Sequence, residues 1–169
     1  MRVVGARRHA GIYLESTGDE QYGVLPGEER LVKEVMSRHV VMIDVLTTVK
    51  QAAEIMQARK VPALVVCRKE DVAGVVTERE LALRGTTGSR HPSAVSVQDI
   101  LAGCEPVGCR EDAILGDVTR AMIDHRLPAV PVMTAGGDVV GVLSLLDAAG
   151  AVMPNVAATW RKQMSNEGG

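Results

Sequence analysis

The residues best placed to do chemistry in this chain of 169 residues sit in two short patterns. Each sets a hydroxyl three positions before a carboxylate: Thr77-Glu78-Arg79-Glu80 and Ser144-Leu145-Leu146-Asp147. Such a pair can close into a capping box, in which hydroxyl and carboxylate satisfy N–H groups at a helix start. Facing outward, the same groups can hold a ligand. Neither pattern has an activated nucleophile beside a positioned base, so binding without catalysis is expected. The chain also lacks a nucleophile elbow, a Gly-rich dinucleotide fingerprint and a P-loop.

A second set is His39, His91 and His125 with Cys67, Cys104 and Cys109. Imidazole and thiolate suit zinc, and a zinc-binding stress protein is one alternative reading. However, no two of these residues have ligand spacing on one element. The histidines therefore read as surface residues, the cysteines as small core-tolerant ones, and no metal is expected. An odd cysteine count and the absence of a secretory-type apolar run in MRVVGARRHAGIY point to reduced thiols in the cytoplasm. Val139 to Val156, the most apolar stretch, is broken by Asp147, glycines and Pro154, so no membrane span is expected.

The elements that position the two patterns repeat. Arg59-Lys60-Val61-Pro62-Ala63-Leu64-Val65-Val66 aligns with His125-Arg126-Leu127-Pro128-Ala129-Val130-Pro131-Val132. At the same offset Val49, Ala52, Ala53 and Met56 fall on Leu115, Val118, Thr119 and Met122, each set the stripe of an amphipathic helix. After one inserted residue, Gly74 to Glu80 aligns with Gly141 to Asp147. Each half reads as a strand (40–43; 106–109), that helix, a β-branched strand (63–67; 129–133), a turn and a further strand (72–76; 139–143). A short helix then ends at Gly85 or Gly150. The fold class is α/β (α+β): two β-α-β-β-α repeats, each too small to bury its sheet alone, packed as a pseudo-two-fold pair. The organisation is a 1–31 extension, repeat 1 over 32–85, a linker over 86–95, repeat 2 over 96–150, and a 151–169 tail. Tyr13, Tyr22 and Trp160, the only aromatics, lie in the flanks and should cover a sheet or a partner.

Composition agrees with a binding module. Apolar residues make up 46% and charged residues 24%, so a packed core is expected. Nineteen Lys and Arg against 21 Asp and Glu give a formal charge of -2, which argues against nucleic acid as a partner. Aromatics at 2% offer few platforms for stacking bases.

The paired patterns resemble a tandem of cystathionine-β-synthase (CBS) domains over about residues 32 to 150. Val35-Met36-Ser37 is similar to the entry of such a repeat. Gly74-Val75-Val76-Thr77-x-x-Glu80 and Gly141-Val142-Leu143-Ser144-x-x-Asp147 are similar to the family's glycine–apolar–x–Thr/Ser–x–x–Asp signature. The resemblance implies a disc with two clefts between the repeats that take adenosyl ligands such as AMP, ADP, ATP, S-adenosylmethionine or NAD-type molecules. It implies Glu80 and Asp147 on the ribose hydroxyls and Thr77 and Ser144 facing phosphate. It also implies that groups near Val40, Val41, Val61, Pro62 and Ala63, and near Val107, Leu127, Pro128 and Ala129, frame adenine. A carboxylate suits vicinal hydroxyls because it accepts two hydrogen bonds. A hydroxyl at a helix start lies among unpaired N–H groups that attract phosphate.

The two copies differ. Glu80 replaces the usual Asp and has capping open to it, whereas Asp147 keeps the family residue. Arg79 could neutralise a phosphate or sit as a solvated arginine, and repeat 2 has no counterpart. Lys60 and Arg126 could also reach phosphate. The clefts should therefore differ in affinity, with Asp147 the surer ribose holder. A regulatory module that signals to an effector protein is expected, with an empty-cleft interaction domain as the alternative. A homodimer is also expected, with the stripes Val49/Ala52/Met56 and Leu115/Val118/Met122, or their neighbours, exposed and covered by a second copy.

Overall fold

The computed structural model describes residues 12–13, 29–84, 91–104 and 106–152. In the first repeat β2 (Met42–Asp44) leads to α1 (Val49–Arg59), β3 (Ala63–Arg68), β4 (Asp71–Thr77) and α2 (Glu78–Arg84). A short helix α3 (Val97–Leu101) follows, then β5 (Val107–Arg110), α4 (Leu115–Asp124), β6 (Ala129–Met133), β7 (Val139–Ser144) and α5 (Leu145–Val152). β3 pairs parallel with β2 and antiparallel with β4, and β6 does the same with β5 and β7. The order expected from the repeat is the order found. The second sheet gains a further strand, β1 (Ile12–Tyr13), parallel on β5.

Local chemistry explains the elements. Thr48 starts α1, its Oγ1 accepting the Gln51 N–H at 3.2 Å while Gln51 Oε1 accepts the Thr48 N–H at 3.0 Å. Lys60 and Arg126 end the two long helices in the left-handed conformation, both at φ 55°. The next N–H of each closes the helix end, Val61 on the Met56 carbonyl at 3.1 Å and Leu127 on that of Met122 at 2.8 Å. The chain thus turns directly into the central strand. β3 and β6 are buried along most or all of their lengths because helices cover one face and the opposite repeat the other. Between the sheets Ala63, Val65 and Val72 meet Ala129 and Val142, with Val40 and Val139 against them.

The leading segments are exchanged. Val32 and Met36, which open repeat 1 ahead of its first strand, are buried in the core of repeat 2 with Leu115, Met122 and Leu143. Val95, Val97 and Ile100, which lie at the start of repeat 2 ahead of its first strand, are buried in the core of repeat 1 with Val49, Met56 and Leu64. Backbone bonds fasten both crossings: Val32 N–H to the Ala113 carbonyl at 3.0 Å, and Val97 N–H to the Thr47 carbonyl at 2.8 Å.

Two expectations change. The stripes Val49/Ala52/Met56 and Leu115/Val118/Met122 are buried in the repeats' own cores, so they are not dimer surfaces. The large apolar side chains left exposed on helices are Leu83, Ile123 and Leu146. Gly150 does not end the last helix, which runs through it to Val152. The end placed at Gly85, along with Tyr22 and Trp160, lies outside the described residues.

Candidate functional site

Each hydroxyl–carboxylate pattern stands where the last strand of its sheet becomes a helix. Thr77 ends β4 opposite Ala63, and Ser144 ends β7 opposite Ala129. The Glu78 N–H donates to the Pro62 carbonyl at 3.3 Å, and the Leu145 N–H to the Pro128 carbonyl at 2.9 Å. The helix starts are thereby fastened to the segments expected to frame adenine. Ala63 and Ala129 reach the shared inter-repeat cluster, and Pro62 and Pro128 are exposed beside them. Val41 and Val61 pack on the first core, Val107 and Leu127 on the second.

The two carboxylates are engaged differently. Glu80 Oε2 accepts both the Thr77 N–H at 3.0 Å and the Thr77 Oγ1 hydroxyl at 3.2 Å, and the Glu80 N–H reaches Thr77 Oγ1 at 3.4 Å. This closed box is half-buried. Asp147 is exposed: Oδ2 accepts the Ser144 hydroxyl at 2.6 Å, and the Asp147 N–H donates to Ser144 Oγ at 3.1 Å. Unlike Glu80, which accepts both the N–H and the hydroxyl of its box, Asp147 accepts only the hydroxyl, and it stands in solvent. Arg79, Lys60 and Arg126 are all exposed at the margins.

Ser37 comes beside the last strand of the second site, and local sequence gave no signal for that placement. Ser37 and Val142 exchange backbone bonds, both at 2.9 Å, two residues before Ser144. This pairing is long-range, so helix or strand periodicity is silent about it. Gly141 permits it: a Cβ there would stand 2.5 Å from Met36 Sδ and 3.0 Å from the Ser37 carbonyl oxygen.

The cysteines are dispersed. Cys109 lies in the second core, where burial pushes its thiol up to about 12. Burial, with Asp44 nearby, raises that of Cys67, and Cys104 is exposed. Among the described residues no three His, Cys, Asp or Glu side chains gather as metal ligands, and no helix is long and apolar enough to cross a membrane.

The family model for the CBS domain matches residues 32–84 and 97–154. The chain belongs to the CBS domain family. It is 31% identical over 118 residues to the uncharacterized protein YlbB of Bacillus subtilis (strain 168), covering 69% of this chain and 78% of YlbB. Its fold is similar to that of the CBS domain protein TA0289 of Thermoplasma acidophilum (TM-score 0.67, 22% identity, 77% of this chain and 72% of that one). It is also similar to the cytosolic domain of the Mg2+ channel MgtE in complex with ATP (TM-score 0.55, 21% identity, 71% and 48%). Paired CBS domains are commonly regulatory modules, and stand-alone CBS proteins are typically non-catalytic.

Proposed function

We propose that this chain is a stand-alone sensor that binds an adenosine-containing ligand between its repeats and passes the bound state to an effector protein. The candidates are AMP, ADP, ATP, S-adenosylmethionine and NAD-type molecules. The observation that carries the reading is the exposed Asp147 carboxylate, held by Ser144 at a helix start beside the inter-repeat cluster. In this reading Asp147 takes the ribose hydroxyls, Ser144 and the N–H groups of the α5 start face phosphate, and Pro128-Ala129 flanks adenine. The Thr77 cleft, its carboxylate closed on its own helix, is the weaker site. Arg79 would help it only toward phosphate-rich ligands.

The role needs no catalytic group and no resident cofactor, and it suits a reduced, cytoplasmic protein. A homodimer is part of the proposal, because Leu83, Ile123 and Leu146 are 57%, 53% and 59% exposed, and a second copy would shield such side chains. The test is thermal shift with AMP, ATP, S-adenosylmethionine, NADH and zinc. An adenosyl ligand at 100 times its Kd should stabilise by about 2.7 kcal/mol, several degrees for this size. No shift with any adenosyl ligand would leave an interaction domain with empty clefts, and a shift with zinc alone would restore the metal reading.

A further inference from the structure

The two sheets differ at one edge. In the second repeat the outer edge of β5 carries β1, with Ile12 opposite Val107 and Tyr13 opposite Gly108. The alignment of the repeats sets Val41 and Met42 at the positions of Val107 and Gly108. There, among the described residues, β2 is the edge strand and no strand pairs with its outer side. Its hydrogen-bond directions are fixed: the Val41 carbonyl accepts the Val65 N–H and the Val45 N–H donates to the Cys67 carbonyl, both at 3.0 Å. Alternation along a parallel ladder then turns the N–H and C=O of Met42 and the N–H of Asp44 outward. The Asp44 carbonyl is already taken by the Thr47 N–H at 3.0 Å. The edge thus presents two donors and one acceptor, flanked by Met42 at 38% and Leu46 at 71% exposure.

The geometry points to β2 as a docking edge for an extended segment of a partner protein, added in parallel as β1 is added to β5. The inference concerns a different surface from the adenosyl cleft and stands or falls separately. Charge selects the occupant. The aligned position of Asp44 in the second repeat is Arg110. A segment laid on β2 in the β1 register meets, two residues beyond Met42, the Asp44 carboxylate, whose Oδ1 accepts the Leu46 N–H at 2.8 Å and whose charge favours Lys or Arg opposite it. This chain's own Ile12-Tyr13 is followed by Leu14 and Glu15, which would bring like charge onto Asp44. A second copy's first strand is therefore disfavoured, and a partner strand with a basic residue at that position fits.

The probes are two capped heptapeptides, TIYVKVT and TIYVEVT, with Tyr set opposite Met42 and the fifth residue opposite Asp44. The readout is amide hydrogen exchange of the full chain. TIYVKVT should slow exchange at Met42 and Asp44 by about tenfold and TIYVEVT should not. Asp44→Lys should reverse that preference. Met42→Pro removes only an outward N–H, which an edge strand tolerates, and should abolish protection while the β2–β3 amides stay protected. Equal protection by both peptides, or by neither, overturns the proposal. A dimer in light scattering that Met42→Pro converts to monomer also overturns it, in favour of a second copy on this edge. An adenosyl thermal shift without peptide protection would sink this inference alone, and the converse would sink only the sensor reading.

Discussion

The second repeat is closed where the first is open, although both run through the same strands in the same order. At β7 the exchanged segment zips onto the sheet through Ser37 and Val142, and β1 covers the far edge. At β4 the corresponding stretch after Leu101 turns instead, with the Cys104 N–H donating to the Leu101 carbonyl at 2.9 Å. A concavity of about 780 Å³ opens there between α3, the start of β4 and Pro106. The carboxylates show the opposite contrast. The open repeat holds Glu80 on both the N–H and the hydroxyl of Thr77, whereas the closed repeat holds the exposed Asp147 on the Ser144 hydroxyl alone. Duplication preserves the scaffold, and the two carboxylates, one methylene apart in length, settle into different hydrogen-bond arrangements on it.

The largest expected effects come from breaking the exchange. Met36→Ala and Ile100→Ala should each cost about 2–5 kcal/mol, since both side chains are at most 7% exposed. Each should loosen the repeat it packs in rather than the one it belongs to in sequence. Hydrogen exchange should rise first in β6 and β7 for Met36→Ala and in β3 and β4 for Ile100→Ala. The reverse pattern would refute the exchanged cores.

The signature glycines should then separate by mechanism. Gly141→Ala presses on Met36 and the Ser37 carbonyl, an overpacking cost of about 1–3 kcal/mol. Gly74 has φ +152° with the Leu101 side chain at ordinary contact, 3.4 Å, so Gly74→Ala suffers backbone strain of about 1–3 kcal/mol instead. Double-mutant cycles distinguish them. Met36→Ala should couple favourably to Gly141→Ala, and Leu101→Ala should leave Gly74→Ala unrelieved. Equal coupling in both repeats would erase the distinction.

A smaller effect is thiol chemistry. Burial raises the Cys109 thiol to about 12, so it stays protonated through neutral pH and its thiolate grows only near that value. Alkylation at pH 8 should label exposed Cys104 first, Cys67 slowly, and Cys109 only after unfolding. Early Cys109 labelling in the folded chain would show that the second core opens readily.

Much of this was legible because apolar periodicity and the two glycine-led patterns recur together. The middle strands and long helices fell where the repeat put them. β2 begins at Met42 rather than Val40 because Val40 serves the inter-repeat cluster and lies outside the ladder. α3 went unread although its signal was present: Ser96-x-x-Asp99 is a capping box, with Val97, Ile100 and Leu101 on one stripe. β1 is two residues long, and only its pairing with β5 makes it a strand. At the site, the patterns gave the hydroxyls and carboxylates. Which carboxylate closes on its own cap depends on side-chain reach in the folded chain. The pairing of Ser37 with Val142 depends on a crossing between repeats.

Calorimetric titration of AMP into the wild type, Asp147→Ala and Glu80→Ala tests the central asymmetry most directly. Loss of the charge-assisted ribose bonds at Asp147 should cost about 2–3 kcal/mol, roughly two decades in Kd. Glu80→Ala removes a helix cap, so it should lower stability by about 1 kcal/mol and leave the tighter AMP site within a few-fold of wild type. Wild-type affinity in Asp147→Ala, together with lost binding in Glu80→Ala, would contradict the account.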